Sequence, residues 1–201
     1  MIKYEELYEI VKEKVLEKRF KHSEYVVKRA LEYAEIYNVN KDIVKLCAIA
    51  HDIAKNLTKE ENRKYIKKYN IRFNRIEKTN PNLWHSKIGA EICKEEYGFT
   101  EDMVNAIKYH TTGRANMSIL EKIIYLADAT EETRNYKDVQ EYVDYVINDI
   151  DDAMFKVSKL VIEKLINKGV AVHLDTVKCY NYYNSNKNHK NTTQKPKNML
   201  K

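Results

Sequence analysis

Leu46-Cys47-Ala48-Ile49-Ala50-His51-Asp52-Ile53-Ala54-Lys55 is the stretch on which the reading of this chain turns. An apolar run is interrupted by an adjacent histidine and aspartate, then resumes. Ile43, Val44, Cys47, Ala48 and Ile49 recur at helical spacing, and Asn40 is a plausible N-cap. The spacing predicts a buried helix from near Asn40 to about Ala54. It is too short to span a bilayer. An unpaired ionised carboxylate in such a core costs several kcal/mol or is forced to protonate. Asp52 therefore needs a partner, and the search for one leads outward along the chain.

On the N-terminal side, Leu7, Ile10, Val11, Val15 and Leu16 predict an amphipathic helix over 3–18. Val26, Ala30, Tyr33 and Tyr37 predict another over 21–38. On the C-terminal side, the capping box Thr58-Lys59-Glu60-Glu61 opens a helix to about Tyr69. Residues 70–83 read as a loop. A helix over 84–97 stops at Gly98, and Thr100 opens one to about His110. Ser118-Ile119-Leu120-Glu121 opens a helix to about Ala129. One or two helices cover 138–168, 170–183 is mixed, and 184–201 reads as a basic disordered tail.

Composition agrees with an all-α fold. Four Gly and two Pro in 201 residues lie far below the roughly 12% usual for the pair. The scarcity argues against a sandwich or barrel. Gly89, Gly98, Gly113 and Gly169 lie too far apart to build a phosphate-cradling loop. The net charge is +6, a hint of an anionic partner. Five of those charges sit in Lys187, Lys190, Lys195, Lys197 and Lys201, where no acid balances them, so residues 1–183 carry a surplus of only one. Cys47, Cys93 and Cys179 form no disulfide framework. With no signal-peptide pattern at the start, the expected location is the cytoplasm.

Five other side chains behave like Asp52. His22 aligns with Val26 and Ala30, His51 with Val44 and Cys47, and His110 with Met103 and Ile107. His85 starts a helix whose face continues through Ile88 and Ile92, and Asp128 aligns with Leu120 and Ile124. A single histidine on an apolar face is most often a satisfied core residue. Four imidazoles and two carboxylates facing one small core are hard to satisfy without a cation. Helix bundles build metal sites in this way. Mixed His/Asp donors suit iron, manganese or zinc, and no cysteine stands at ligand spacing.

The ordered set H…HD…H…H…D resembles the HD superfamily of metal-dependent phosphohydrolases. The flanking residues are similar to the YqeK-type group within it. These are Arg19-Phe20-Lys21-His22-Ser23, His51-Asp52-Ile53-Ala54-Lys55, Leu83-Trp84-His85-Ser86, and His110-Thr111-Thr112-Gly113 with Met117-Ser118. Ala127-Asp128 with Glu131 and Arg134, and His173-Leu174-Asp175-Thr176, complete the likeness over residues 1–183. Thr130, Glu132 and Leu174 depart from the pattern but touch no proposed ligand. The resemblance implies a single HD-domain helical bundle with a buried metal site. It implies a symmetrical bis(5′-nucleosyl)-tetraphosphatase, hydrolysing diadenosine tetraphosphate to two ADP with bound iron or another divalent metal such as manganese. By the resemblance, His22, His51, Asp52 and Asp128 hold the principal ion, and His85 and His110 face the phosphates, with room for a second ion beside them. Asp52, His85, His110 and Asp128 would carry the catalysis.

Arg19, Lys55 and Arg134 adjoin these motifs and are the natural counter-charges for a tetraphosphate. Thr111 offers a further donor. His173, Asp175 and Thr176 line the nucleoside end by resemblance. The expected partner is a small nucleotide, with no nucleic acid or membrane, and a homodimer is left open. Two alternatives share these residues: another HD-type nucleotide phosphohydrolase such as a nucleotidase, and a non-catalytic nucleotide sensor.

Overall fold

The computed structural model describes residues 1–134 and 138–193, with side chains through Asn186. Its regular elements are all helical. They are α1 (Tyr4–Lys14), α2 (Glu17–Ile36), α3 (Lys41–Ala50), α4 (Lys59–Lys68), α5 (Arg75–Thr79), α6 (Trp84–Tyr97), α7 (Glu101–Tyr109), α8 (Ile119–Thr130), α9 (Val139–Asn148), α10 (Ile150–Asn167) and α11 (Leu174–Thr193). A 3-10 turn at Pro81–Leu83 precedes α6.

α3 is the buried centre of the bundle. From Leu46 to Ala50 every side chain is buried, because α1, α2, α7 and α8 pack around it. Asn40 caps it, accepting from the backbone N–H of Asp42 and Ile43. The helix stops at Ala50, four residues earlier than the spacing predicts. Beyond it the chain tightens, with Ile53 N–H donating to Ala50 O and Lys55 N–H to Asp52 O. Consecutive residues of a regular α-helix point about 100° apart. The tightened turns allow His51 and Asp52 to enter the same interior.

Three other departures have identifiable causes. The predicted first helix breaks at Val15, whose backbone is extended, and Leu16 N–H donates to Asn56 Oδ1. α2 therefore starts at Glu17, which puts Arg19 and His22 on one helix. The predicted loop 70–83 contains α5, closed by a capping box between Asn74 and Glu77. The mixed segment becomes the start of α11, which buries Thr176, Cys179 and Tyr183 at helical spacing. Its backbone continues to Thr193. Residues 194–201 of the expected tail, and side chains from Lys187 onward, lie outside the described residues.

Two contacts hold the α7–α8 connection. Glu121, fully buried, accepts two hydrogen bonds of 2.7 Å from the Arg114 guanidinium and closes the capping box with Ser118. Gly113 has φ of +63°, and a Cβ there would stand 2.7 Å from Cys179 Sγ. Only glycine lets this loop approach α11 so closely. No helix among the described residues is long and apolar enough to cross a membrane.

Candidate metal centre

The six candidate residues, four of them expected to hold the principal ion, converge from five elements. α2 supplies His22, and the end of α3 supplies His51 and Asp52. The first turn of α6 supplies His85, the end of α7 His110, and the last turn of α8 Asp128. His51, Asp52, His85 and His110 are buried, while His22 and Asp128 are partly exposed.

The ring orientations are set locally. His51 Nδ1 lies 2.8 Å from Ala48 O, His85 Nδ1 2.8 Å from Asn82 O, and His110 Nδ1 2.7 Å from Ile107 O. A carbonyl oxygen only accepts, so each Nδ1 carries the proton. In its neutral form each ring then turns a lone pair inward on Nε2. The fourth, His22, has Nδ1 3.2 Å from Glu131 Oε1. All four Nε2 atoms point at the carboxylates. His22 Nε2 is 3.1 Å from Asp128 Oδ1, and His51 Nε2 is 3.4 Å from Asp52 Oδ2. His85 and His110 Nε2 are 3.1 and 3.5 Å from Asp52 Oδ1. Asp52 therefore divides its two oxygens between the His22/His51 side and the His85/His110 side.

Lone pairs aimed at carboxylates repel unless a cation lies between them. The buried atoms left without a hydrogen-bond partner include His22 Nε2, His51 Nε2 and Asp52 Oδ1. Those are donors a metal takes. Two triads have ligand atoms mutually close enough to share an ion: His22, His51 and Asp128, and His51, Asp52 and His110. They share His51. The residues present therefore fit a divalent ion with N/O ligands. Carboxylate or carbonyl partners on the outer ring nitrogens are the usual means of orienting such ligands.

Ionisation follows the same geometry. Burial alone would raise the Asp52 carboxyl, but His51, His110 and His85 outweigh it and hold it well below the usual range. Asp128 is likewise lowered, as His22, His51 and Arg134 overcome the effect of burial. Burial pushes the His85 imidazole down to about 4, which keeps it neutral. Burial also lowers Lys55, against the upward pull of Asp52.

The expected counter-charges stand close to this group. Arg19 Nη1 donates to Asp52 Oδ2 at 2.9 Å. Arg134 Nε donates to the Asp128 carbonyl at 2.8 Å, and its Nη2 bonds the Asp128 carboxylate. Lys55 Nζ is 3.2 Å from His85 Nε2. Thr111 Oγ1 lies 3.0 and 3.2 Å from the Nε2 atoms of His110 and His85. Two clefts reach the group from outside. The wider, about 720 Å³, has His22, Arg19 and Arg134 in its wall. The narrower, about 200 Å³, meets His110, Thr111 and Asp128 and continues between Val157, Leu160 and Val161. Arg134 and Lys164 line both.

His173, Asp175 and Thr176 have other neighbours. His173 is buried, with Nε2 2.7 Å from Asn74 Nδ2 and 3.5 Å from Glu77 Oε1. Its Nδ1 accepts from Asp175 N–H. Thr176 is buried and Asp175 partly exposed. The contacts made by His173 tie α11 to α5 rather than to the six ligands. Glu131 is the residue whose role the sequence reading left open. It is buried, takes the His22 contact, and accepts from the N–H and hydroxyl of Thr133. His22 and Thr133 hold its carboxyl below the usual range despite burial. Its position three residues after Asp128 was the available signal.

The comparisons with known proteins follow the same outline. The HD domain family model matches residues 19–133, which contain all six candidate ligands. A symmetrical bis(5′-nucleosyl)-tetraphosphatase of Bacillus subtilis is 35% identical over 179 residues, 89% of this chain and 96% of the relative. One from Staphylococcus aureus is 34% identical, covering 87% and 91% of the two chains. Among solved structures, an HD superfamily hydrolase from Clostridium acetobutylicum, described as involved in NAD metabolism, superposes with a TM-score of 0.87. It is 34% identical, and the match covers 92% of this chain and 99% of that one. On these grounds the chain belongs to the HD-domain family and, within it, to the symmetrical bis(5′-nucleosyl)-tetraphosphatase group.

Proposed function

We propose that this protein hydrolyses dinucleoside tetraphosphates at the central phosphoanhydride, converting diadenosine tetraphosphate and water to two ADP. The observation that carries the reading is the set of inward Nε2 lone pairs around Asp52 and Asp128, ringed by Arg19, Lys55 and Arg134. The names borne by the relatives from B. subtilis and S. aureus support the substrate class.

In this reading His22, His51, Asp52 and Asp128 hold the principal ion. The sharing of His51 between the two triads favours one principal centre. Lys55 stands at hydrogen-bond distance from His85 Nε2, which leaves that nitrogen less available to a second ion. Iron is the metal we assign, with manganese the next candidate, since both accept imidazole and carboxylate together. When bound, the ion supplies Lewis acidity, lowering the pKa of a nearby water and offsetting phosphate charge.

The chain's own residues do the rest. Asp52 and Asp128 accept a hydrogen bond from the attacking water and aim it. The Lys55 ammonium and the Thr111 hydroxyl, positioned by the Nε2 atoms of His85 and His110, face the non-bridging oxygens, where charge builds in the transition state. Arg19 and Arg134 each have guanidinium edges near the carboxylates and bind the phosphate chain on either side of the reacting phosphorus. The water oxygen bonds to phosphorus, the P–O bond to the central bridging oxygen breaks, and that oxygen leaves with the second ADP, taking a proton. We take the domain to span residues 1–183, with His173 holding the start of α11 against α5. We place the protein in the cytosol, where its three buried free cysteines stay reduced.

The test is product identity. Metal-loaded protein incubated with diadenosine tetraphosphate should give ADP alone, and a chelator should abolish turnover. Release of AMP with ATP, or an intact substrate, would refute the proposal.

A further inference from the structure

We infer that the wider cleft is the subsite for the second nucleoside diphosphate of the substrate, and that Tyr25 is the platform for its base. This rests on the proposed function. A substrate with two equal halves and a central scissile bond needs room on both sides of the reacting centre. The structure has it. The narrow cleft reaches the ligand group past His110, and the wide one past His22. Arg134 and Lys164 stand in the wall of both. A phosphate chain crossing from one cleft to the other would pass these two cations with its midpoint beside Asp128.

Tyr25 is singled out by position. The sequence has 16 tyrosines, and nothing in spacing alone chooses among them. Arg19, His22 and Tyr25 follow at i, i+3 and i+6 along α2, and all three line the wide cleft. Tyr25 stands about 4.5 Å beyond His22 along the helix axis, in the direction opposite to Arg19. It is partly exposed, and it makes no ring contact and no side-chain hydrogen bond among the described residues. By contrast Tyr125, in the narrow cleft, is buried in the core. A partly exposed aromatic ring beside cations is the arrangement that binds a base by stacking without reading its edge.

The test compares diadenosine tetraphosphate with adenosine 5′-tetraphosphate, which has the same phosphate chain and no second nucleoside. The wild-type protein should show a KM for the dinucleotide about tenfold below that for the mononucleotide. Tyr25→Ala should erase most of that difference with little change in kcat for the dinucleotide, and Tyr25→Phe should keep it, since the ring remains. Circular dichroism and thermal unfolding of both variants should match wild type, because Tyr25 lies outside the core. The inference is overturned if wild type does not distinguish the two substrates, or if Tyr25→Ala retains the full difference. If the metal-loaded wild type cleaves neither compound, the proposed function itself falls, a result distinct from either of these.

Discussion

Glu131→Gln tests how the centre is held. Glu131 is buried, and its carboxylate stands 3.2 Å from His22 Nδ1. A glutamine of the same shape keeps the packing but replaces an ionised acceptor by a neutral amide that can also flip. His22 then loses the charge that fixes its ring and raises the basicity of Nε2. Losing such an outer partner costs roughly 10- to 100-fold in metal affinity, or about 1.4–2.7 kcal/mol. Titrating metal-free protein with Mn(II) or Fe(II), read by calorimetry, should show that weakening. Thermal unfolding of the metal-free variant should show only a modest shift, since Thr133 can still donate to the amide oxygen. The coupling is the sharper readout. In a His22→Ala background the further effect of Glu131→Gln on affinity should nearly vanish. An unchanged affinity in the single variant, or an undiminished loss in the double variant, would refute an orienting role for Glu131.

Two further outcomes follow from packing. Gly113→Ala forces a side chain into a positive φ and against Cys179 Sγ at 2.7 Å, so urea unfolding should show a loss of about 2 kcal/mol or more; Cys179→Ala in the same chain should recover only part of it, because the backbone strain stays. Burial raises the Tyr33 hydroxyl to about 12 from 10, although its contact with Thr130 pulls it down. The unfolded chain therefore releases that proton first, and this share of stability, full below pH 10, is lost as pH rises from 10 towards 12; at about 1.36 kcal/mol per unit it amounts to ~3 kcal/mol. Urea midpoints at pH 9 and 11 should converge in Tyr33→Phe relative to wild type.

What could be read in advance was what lives in side-chain pattern. The ligand residues lay on apolar faces, and those faces were visible because burial of a histidine or aspartate is rare enough to stand out. The capping boxes at Thr58 and Ser118 gave the starts of α4 and α8 correctly. The equivalent box at Asn74 and Glu77 was equally present in the sequence, yet α5 is one short turn flanked by polar residues, so it had no periodic face to support it. The break at Val15 depends on Asn56, 40 residues away, and no local pattern contains it. The early end of α3 is similar: Ile53 and Ala54 continue the apolar run, and their burial owes nothing to continued α-helix. Arg19 and Lys55 were found by adjacency. Glu131 was seen within its motif, but its task as a partner of His22 needs the 109-residue separation to be closed in space.

Three of the four inward histidines lean on a carbonyl three residues earlier in their own chain. Each ring thus receives its tautomer from its own turn rather than from the assembled bundle. In the neutral form of each ring the proton therefore sits on Nδ1, and Nε2 is the atom turned towards the centre. It also means that the ligands are prepared separately and merely gathered by the fold. A shift of one helix would displace its donor without resetting the others. Such a centre can retune its metal geometry through helix packing while its coordination chemistry stays constant.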